Sequence, residues 1–585
     1  MWQLIEHEIK TRWAKNVLPD NVLPEYPRPQ LRRKEWLNIN GLWEYAIRPK
    51  KQMSVNSFDG KILVPFPIES ALSGVKRKVA PKQKLWYRRI FTVSKSWKGQ
   101  RVLLHFGAVD WEATIWVNGN EIGTHKGGYT PFSFEISDSL DIEGENELLV
   151  SVWDPTNKGG QERGKQTLRP YGIYYTAITG IWQTVWLEPV PTTYIESIKM
   201  IPDIDNEIIK IRANIQYSQK GEKISVLVKE GEKDVVENTE DAEEQLVIKI
   251  PSPKLWSPNN PFLYDINIQL KRGSKILDRV SSYFGMRKIA LGVDEKGNRT
   301  IELNNQPIFT YGPLDQGYWP DGLYTAPTDE ALKYDIEITK ELGFNAIRKH
   351  VKVESARWYY YCDKIGMLVW QDMPNAGKTG ILYMLVNILR NSEKYKGKRK
   401  EFEKRNYYNE LESMIASFYN HPSIVVWVPF NEGWGQFETE KVVEKVRELD
   451  SSRLIDSASG WHDKGVGDIC DCHKYPGPKL PEKIRDRAAV CGEFGGLGLK
   501  IENHMWDKKF RWAYKRFPNA TELTEKYEEL ILKLKELQKQ GLIAAIYTQT
   551  TDVEGEINGL LTYDREVIKM DKKQLRDINL SLYSS

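Results

Sequence analysis

The chain has 585 residues, of which 40% are hydrophobic and 28% charged, and its 84 basic and 80 acidic residues leave a formal net charge of +4. This length exceeds a single hydrophobic core and predicts three or four domains. The small charge excludes a strongly basic nucleic-acid-binding protein, and the lack of any run of about 18 apolar residues excludes a membrane-spanning helix.

Three further features set the environment that we expect. The basic runs at 32–34, 76–78 and 394–400 are typical of solvated loops. Residues 1–20 lack the apolar core of a signal peptide, and four cysteines are too few for a disulfide framework. We therefore expect a cytoplasmic protein with no nucleic-acid partner and no membrane partner.

Residues 1–190 have the pattern of β-structure. Short alternating or β-branched runs occur at 88–93, 101–109, 112–125 and 146–154, and the sequence NGN at 118–120 predicts a hairpin turn. The pattern predicts a jelly-roll β-sandwich. Residues 191–288 continue with evenly spaced strand patterns, which predict an immunoglobulin-like β-sandwich without a disulfide bridge; these runs are 194–204, 207–217, 223–231, 245–252, 264–273 and 278–285.

From residue 289 to residue 585, short apolar strands alternate with helical patterns, which is typical of a parallel sheet. The clearest helical pattern begins near Thr521 and ends before Gly541, with a coiled coil as the alternative interpretation. Eight strands in this region predict a C-terminal (β/α)8 TIM barrel. The eight predicted strands are 307–312, 344–350, 367–373, 424–430, 454–460, 468–475, 488–494 and 542–549.

The active site of such a barrel lies at the carboxyl ends of the strands. Polar and aromatic residues at these ends are therefore the candidates for function. In chain order they are Arg348, His350, Gln371, Asp372, Asn431, Glu432, Trp461, His462, His473, Tyr475, Glu493, Gln549 and Asp552.

Two glutamates among these candidates suggest a reaction. Glu432 lies in FNEGWG after the fourth strand, and Glu493 lies in CGEFGG at the end of the seventh. Glycoside hydrolysis requires two carboxyl groups on either side of one bond, one to protonate the leaving oxygen and one to attack or to activate water. The proton donor needs apolar neighbours, and Phe430 and Trp434 are suitable. The 20 Trp residues also suit a sugar ligand, although β-proteins use Trp as core filler as well.

Other chemistries fit the sequence less well. His350, His473, Cys470 and Cys472 are potential metal ligands, but the sequence CDCH lacks the CxxC spacing of a zinc site. The sequence also has no paired Gly-rich phosphate loop and no GxSxG motif. We therefore expect no catalytic metal and no cofactor, while a structural divalent ion stays open.

Several motifs have a family likeness. LNINGLWEYAI, WYRRIFTV, LHFGAVDWEATIWVNGNEIGTH and GIWQTVWLE lie in the first predicted domain, and FGMRKI, IELNNQPIFTYG, LGFNAIRKH, NEGWG and GEFGG follow. Together they resemble glycoside hydrolase family 2, the family of β-galactosidases, β-glucuronidases and β-mannosidases. The resemblance covers nearly the whole chain, and its motifs are specific only in combination.

The resemblance implies a retaining mechanism in which Glu432 is the general acid/base and Glu493 the nucleophile. Retention in turn implies carboxyl groups about 5 Å apart. By the same resemblance, Asn431 hydrogen-bonds the sugar 2-hydroxyl and Arg348 keeps the nucleophile ionised. His473 and Tyr475 line the floor of the site by this likeness.

The chain also departs from the family pattern. IRKHVKVE replaces the usual Arg-x-Ser-His-Tyr-Pro, so His350 is matched only loosely. Glucuronidases carry an Asn-x-Lys element whose lysine binds the sugar carboxylate, whereas GEING places Glu556 and Asn558 here. An acidic residue at that position repels a uronate, which argues against a glucuronidase. Candidate residues for sugar specificity are Asp315, Trp370, Asp372, Trp461 and Asp552, and Gln549 is a further candidate for substrate binding.

We therefore predict a retaining exo-β-glycosidase that acts on a neutral, galactose-like non-reducing end. Alternatives within the family are a β-glucuronidase, a β-mannosidase, a furanosidase or a transglycosidase. A carbohydrate-binding protein without catalysis is the alternative from another class. The excursion at 375–400 suits a lid, an interface or a packed loop, and the architecture is compatible with a homo-oligomer.

Overall fold

The structure is a computed structural model, and it describes residues 2–6, 9–375, 399–482, 486–507 and 511–583. Most of the 375–400 excursion lies outside these residues, so its expected role as a lid or interface stays a prediction. Within the described residues, no helix has both the length and the apolar character needed to cross a bilayer.

The first domain is a sandwich of two antiparallel sheets, as predicted. Its four-stranded sheet has the order Leu37–Asn38, Val185–Val190, Arg101–Phe106 and Phe132–Glu135. Its six-stranded sheet has the order Gly60–Val64, Gly41–Pro49, Gln83–Phe91, Asn146–Trp153, Glu112–Val117 and Asn120–Lys126. The helical segments here are short 3-10 turns at Ala14–Asn16, Pro29–Leu31, Lys95–Trp97, Ser137–Ser139 and Thr156–Lys158.

The core between these two sheets is apolar, and alternate residues of each strand enter it. Trp43, Tyr87 and Leu104 are fully buried there. The predicted hairpin is present, because Asn118 and Gly119 both have positive φ, as a two-residue turn between paired strands requires. Two small ladders complete the domain: Val109–Asp110 with Gly180–Ile181, and Gln166–Thr167 with Tyr175–Thr176.

The second domain is a smaller sandwich of three and four antiparallel strands. The sheets are Tyr194–Asp203, Ile208–Gln216 and Leu246–Lys249, facing Lys233–Asp241, Glu222–Glu230, Tyr264–Arg272 and Lys275–Phe284. The strand Lys233–Asp241 has no predicted counterpart. It is an edge strand whose residues are largely exposed, so its sequence lacks apolar alternation.

A small antiparallel sheet joins the second domain to the barrel. Its strands are Ile289–Val293, Arg299–Leu303 and Gln306–Pro307. Ile289, Ile301 and Leu303 pack in one apolar cluster with side chains of the barrel strands.

Eight parallel strands form the predicted barrel. Their spatial order is Leu454–Ile455, Ile424–Val428, Leu368–Asp372, Ala346–Lys349, Thr310–Asp315, Leu542–Thr548, Ala488–Gly495 and Ile469–Lys474. The ring is nearly closed, and the ladder ends between the first and last strands of this order. Two predictions need correction: the strand expected at 307–312 is Thr310–Asp315, and the strand expected at 454–460 keeps regular pairing only at Leu454–Ile455. A single bridge from Asn431 to Ser459 continues the latter strand.

Helices pack around this ring, and one of them confirms the clearest helical prediction. Ala520–Lys539 is capped by Asn519, whose side chain accepts a hydrogen bond from the Glu522 amide. It buries Leu523, Tyr527 and Leu534 against the barrel, so the coiled-coil alternative is wrong. The described helices and the remaining small elements are Asp329–Glu341, Ala356–Ile365, Glu401–Phe418, Thr439–Leu449, Ala520–Lys539, Lys572–Leu580, the turn Ser581–Tyr583, and the paired strands Leu497–Leu499 and Lys515–Phe517.

Candidate active site

The two predicted carboxylates lie together at the carboxyl ends of the barrel strands. Glu432 follows the strand Ile424–Val428 in a left-handed conformation with φ of 51°, and its amide donates to the Ser459 carbonyl at 2.8 Å. Glu493 lies within the strand Ala488–Gly495 and is 5% exposed. One oxygen of each carboxylate and the His473 ring lie within 4.8 Å of one another. This spacing suits a retaining pair, whose carboxyl groups stand about 5 Å apart.

His473 lies between the two carboxylates. Its Nδ1 is 2.9 Å from Glu432 Oε1 and 3.4 Å from Glu493 Oε2. Its Nε2 is 2.8 Å from the Ser459 hydroxyl. Burial by itself lowers the pKa of His473, but the charge of Glu493 and the hydrogen bond to Glu432 outweigh it and raise the pKa to about 9. The ring therefore carries a positive charge at neutral pH.

Glu493 is held as an ionised carboxylate. The Tyr475 hydroxyl donates to Glu493 Oε2 at 2.6 Å, and Arg348 Nη1 lies 3.6 Å from Oε1. Burial opposes ionisation, yet the positive charges of His473 and Arg348 outweigh it and lower the pKa of Glu493 to about 2. An ionised carboxylate at the edge of a cavity is chemically suited to nucleophilic attack.

Arg348 is fully buried and forms hydrogen bonds with residues at the ends of several strands. Its guanidinium donates to Asp372 at 2.9 and 3.0 Å, to the Asn431 side chain at 2.9 Å and to the Ser459 hydroxyl at 2.7 Å. It also donates to the Gly492 carbonyl at 3.1 Å, directly before Glu493. The guanidinium thus sets the spacing of the strands that carry both glutamates.

A small enclosed cavity lies against both carboxylates. Its volume of about 10 Å³ is close to that of one water molecule, so a sugar ring requires side chains around it to move. Tyr514 stacks on Tyr475 at 3.5 Å between ring centroids. The residues that line the cavity are Lys165, Ile173, Leu314, His350, Asn431, Glu432, Trp434, Tyr475, Glu493, Tyr514, Thr548 and Glu556.

His350 lines this cavity although its family motif is matched only loosely. Its Nδ1 lies 2.8 Å from Asp372 Oδ2, and the side chain is buried. Burial lowers the pKa of His350 well below its usual value. The ring is therefore neutral at neutral pH and presents a hydrogen-bonding group to the cavity without adding charge.

Most of the candidate specificity residues have their polar groups engaged inside the protein. Asp315 accepts from Lys349 at 2.6 Å, and Asp552 accepts from Lys569 at 2.5 Å. Neither of them lines the small cavity, and the prediction that these side chains contact the sugar stays a prediction. The same holds for the buried Asp372, which pairs with Arg348 and His350, for the buried Trp370, and for Gln549, which is bonded to Gln316 and Asn558.

Trp461 is also outside the cavity lining. It is 46% exposed and meets the His473 ring edge-on, with centroids 5.5 Å apart. Its contact with the site therefore passes through His473.

Sequence reasoning missed the part of the wall that comes from the first domain. Lys165 and Ile173 line the cavity, yet they precede the barrel by more than a hundred residues of chain. Their neighbour Tyr174 stacks on Trp434 with centroids 5.7 Å apart. Strand-end reasoning cannot find such residues because it uses only the topology of the barrel.

Among the described residues, the one cluster with metal-ligand spacing is Glu432, His473 and Glu493. It coincides with the proposed catalytic carboxylates. The four cysteines are free, and Cys362, Cys470 and Cys491 are buried.

Three family models match consecutive parts of the chain. They are described as glycosyl hydrolases family 2, sugar binding domain, at residues 36–191, glycosyl hydrolases family 2 at 193–287, and glycosyl hydrolases family 2, TIM barrel domain, at 302–492. The barrel match includes Glu432 and ends one residue before Glu493. The domain limits at 190 and 288 stay predictions.

Curated relatives carry two different names. A β-galactosidase of Thermoanaerobacter pseudethanolicus is 29% identical over 392 residues, which are 63% of this chain and 47% of that protein. A β-glucuronidase of Bacteroides fragilis is 27% identical over 488 residues, which are 79% of this chain and 62% of that protein. The matches thus span less than two thirds of the length of these relatives.

Solved structures share the fold. The β-D-glucuronidase of Dictyoglomus thermophilum has a TM-score of 0.74 and 20% identity, covering 95% of this chain and 98% of that one. A β-glucuronidase of Ruminococcus gnavus has a TM-score of 0.78 and 18% identity, covering 95% and 99%. With three matched domains in the family's order, the chain belongs to glycoside hydrolase family 2.

Proposed function

We propose that the protein is a retaining exo-β-glycosidase that acts by double displacement. The observation that carries this proposal is the carboxylate pair Glu432 and Glu493, whose oxygens lie within 4.8 Å across a charged His473. An inverting enzyme needs a wider gap, roughly 6.5–9.5 Å, to admit a water molecule.

In the first step Glu493 attacks the anomeric carbon, and the bond from that carbon to the leaving oxygen breaks. Glu432 gives its proton to the leaving oxygen, so the aglycone departs as an alcohol and a glycosyl ester remains on Glu493. In the second step Glu432 takes a proton from water, and the resulting hydroxide attacks the same carbon and releases Glu493. Two inversions retain the β-configuration.

The surrounding residues support this division of roles. Glu493 is ionised, with a pKa of about 2, as a nucleophile must be. Asn431 lines the cavity next to Glu432, and Arg348 holds its side-chain oxygen at 2.9 Å. No residue that the structure describes accepts from its amide nitrogen, which is therefore available to donate to a sugar hydroxyl. Tyr475 donates to the nucleophile and fixes its orientation.

We propose a neutral, galactose-like sugar as the substrate. Glu556 lines the cavity together with Glu432 and Glu493, so a uronate would face three glutamates there against one lysine of the lining, Lys165. One curated relative is named a β-galactosidase, while another is named a β-glucuronidase, so the sugar is the finer part of the proposal.

The test is a panel of 4-nitrophenyl glycosides: β-galactoside, β-glucoside, β-mannoside, β-glucuronide, the arabinosides and the galactofuranoside. We expect one neutral glycoside to be cleaved, with the β-anomer formed first by proton NMR. Glu493→Ala should lower kcat by at least about 1,000-fold, and azide should then give the α-glycosyl azide. With Glu432→Ala, azide should give the β-glycosyl azide.

Two outcomes would count against the proposal. Release of the α-anomer as first product would contradict retention. Undiminished activity in Glu493→Ala would remove the nucleophile from its role, whereas fast cleavage of the glucuronide would overturn only the choice of sugar.

A further inference from the structure

The cavity wall contains a lysine that the mechanism does not use. Lys165 belongs to the first domain, is 6% exposed and lines the cavity beside Glu432 and Glu493. Within the described part of the chain, its ammonium group makes no hydrogen bond and no ion pair. Its nitrogen keeps access to solvent at the cavity, so an oxygen of a bound ligand can accept a hydrogen bond from it.

An acidic residue of the barrel stands near this lysine. Glu556 follows the strand Leu542–Thr548, is 1% exposed and lines the same cavity. Its Oε1 accepts from the Asn558 amide at 3.0 Å, and its Oε2 accepts from the Tyr175 hydroxyl. Burial raises the pKa of Glu556 and the positive charge of Lys165 opposes this rise, so the two groups interact across the cavity wall.

The segment that carries Lys165 is fixed to the barrel on both sides. The amide of Gly164 donates to the Asn375 carbonyl at 3.1 Å. The amide of Thr176 donates to Glu554 Oε1 at 2.8 Å, and Arg399 pairs with the buried Glu162. Lys165 is therefore positioned by its backbone, and its ammonium nitrogen lies 5.8 Å from the centroid of the Tyr175 ring.

A donor without an acceptor next to a carboxylate matches a pair of sugar hydroxyls. The ammonium group donates to a hydroxyl oxygen, while the carboxylate accepts from a hydroxyl hydrogen. A carboxylate on the sugar would satisfy Lys165 but would face three glutamates. We propose that Lys165 and Glu556 together bind hydroxyl groups of the neutral sugar beside Glu493, so that the first domain supplies a specificity residue. This inference rests on the proposed function.

The experiment compares wild type with Lys165→Met on the preferred neutral 4-nitrophenyl glycoside and on its 3-, 4- and 6-deoxy analogues. We expect Lys165→Met to lower kcat/KM roughly 10- to 100-fold, mainly through KM, because it removes a charged hydrogen bond. For one deoxy analogue, the kcat/KM of wild type should fall by a similar factor relative to the parent glycoside. The kcat/KM of Lys165→Met should be nearly the same on that analogue and on the parent glycoside, because the hydrogen bond is already lost. Glu556→Gln should behave in the same way: its loss of kcat/KM and the loss caused by removing one sugar hydroxyl should not add up.

The matched control is Lys158→Met, an exposed lysine earlier in the same segment, which should leave kcat/KM unchanged. Calorimetric titration of each protein with the free monosaccharides gives a second readout that needs no turnover. Weaker binding to Lys165→Met, with an unfolding temperature close to that of wild type, would support the inference.

Three results would overturn it. One is a kcat/KM of Lys165→Met within about twofold of wild type, and another is an equal loss on every deoxy analogue. The third is a uronide substrate whose cleavage alone depends on Lys165, which would make the ligand anionic. The proposed function fails separately, through an active Glu493→Ala.

Discussion

At the scale of single residues, the site depends on one histidine. One oxygen of Glu432 and one of Glu493 lie within 4.8 Å of each other, so the two groups would repel each other whenever both are ionised unless a positive charge stood between them. His473 provides that charge, and Asp471 next to it adds to the rise of its pKa to about 9. The low pKa of Glu493, about 2, is in large part a consequence of this neighbour.

Replacing this histidine should therefore change the pH profile. In His473→Asn the pKa of Glu493 should rise toward its ordinary value. Burial, which raises this pKa, is unchanged, whereas the positive charge of His473, which lowers it, is removed. The proposed mechanism requires ionised Glu493, so the acidic limb of kcat/KM against pH should move to higher pH by about one unit or more. The measurement is kcat/KM from pH 3 to 9.

The control for this prediction is His504→Asn. His504 pairs with Asp564 at 2.7 Å outside the cavity lining, and its replacement should leave the acidic limb in place. An unshifted limb in His473→Asn would mean that the nucleophile does not depend on the imidazolium.

At the scale of elements, the helix Ala520–Lys539 shows which elements can be predicted from sequence. Its apolar residues recur every three or four positions, an asparagine caps its start, and Gly541 follows its end. The exposed strand Lys233–Asp241 has none of these signals, because an edge strand with mostly solvated side chains carries no apolar alternation. The spacing of apolar residues reflects which side chains are buried, so an element with few buried side chains cannot be predicted from that spacing.

Two leucines on this helix give a paired prediction. Leu534 is fully buried and Leu532 is 54% exposed, so they differ in burial within one turn. Leu534→Ala should lower the free energy of unfolding of the barrel by about 2–5 kcal/mol, because it opens a cavity. Leu532→Ala should change it by less than about 0.5 kcal/mol. Calorimetric unfolding measures both, and equal effects would contradict the predicted packing.

At the scale of the whole molecule, the first domain and the barrel share buried groups. Glu410, on the helix Glu401–Phe418, accepts from the Gly128 amide of the first domain at 3.2 Å. Burial and the charge of Glu162 raise the pKa of Glu410 to about 8. In the unfolded chain the same carboxyl titrates near 4.5.

This contact makes stability depend on pH. Between pH 4.5 and 8 the folded state keeps a proton on Glu410 that the unfolded state has lost, so the free energy of unfolding falls as pH rises through this window. Glu410→Gln should match wild type near pH 5 and be the more stable protein near pH 9. The measurement is the unfolding temperature at both pH values.

Glu412→Gln is the control, because Glu412 lies on the same helix, is 45% exposed at its side chain and pairs with Lys445. It should leave the difference between the two pH values unchanged. A Glu410→Gln protein with the pH dependence of wild type would contradict the prediction.

Barrel topology predicts which residues of the candidate site lie close together, but it does not predict which carboxylates have a lysine partner. Arg348, Asn431, Glu432, His473 and Glu493 end their strands, and parallel strands present their carboxyl ends at one face, so the structure brings these residues together as expected. Asp315 and Asp552 also lie near strand ends, yet each is matched to a lysine, and sequence does not show which carboxylates have such partners.

The cavity wall at Lys165 and Ile173 has a consequence for inheritance. The proposed reacting carboxylates lie in the last half of this sequence, whereas part of the proposed sugar-contacting surface lies in its first third. A recombination event that joined this barrel to another sandwich would keep the residues for the proposed reaction but replace some of the residues proposed to select the sugar. Chimeras made by such swaps should therefore drift in sugar preference while their stereochemistry stays the same.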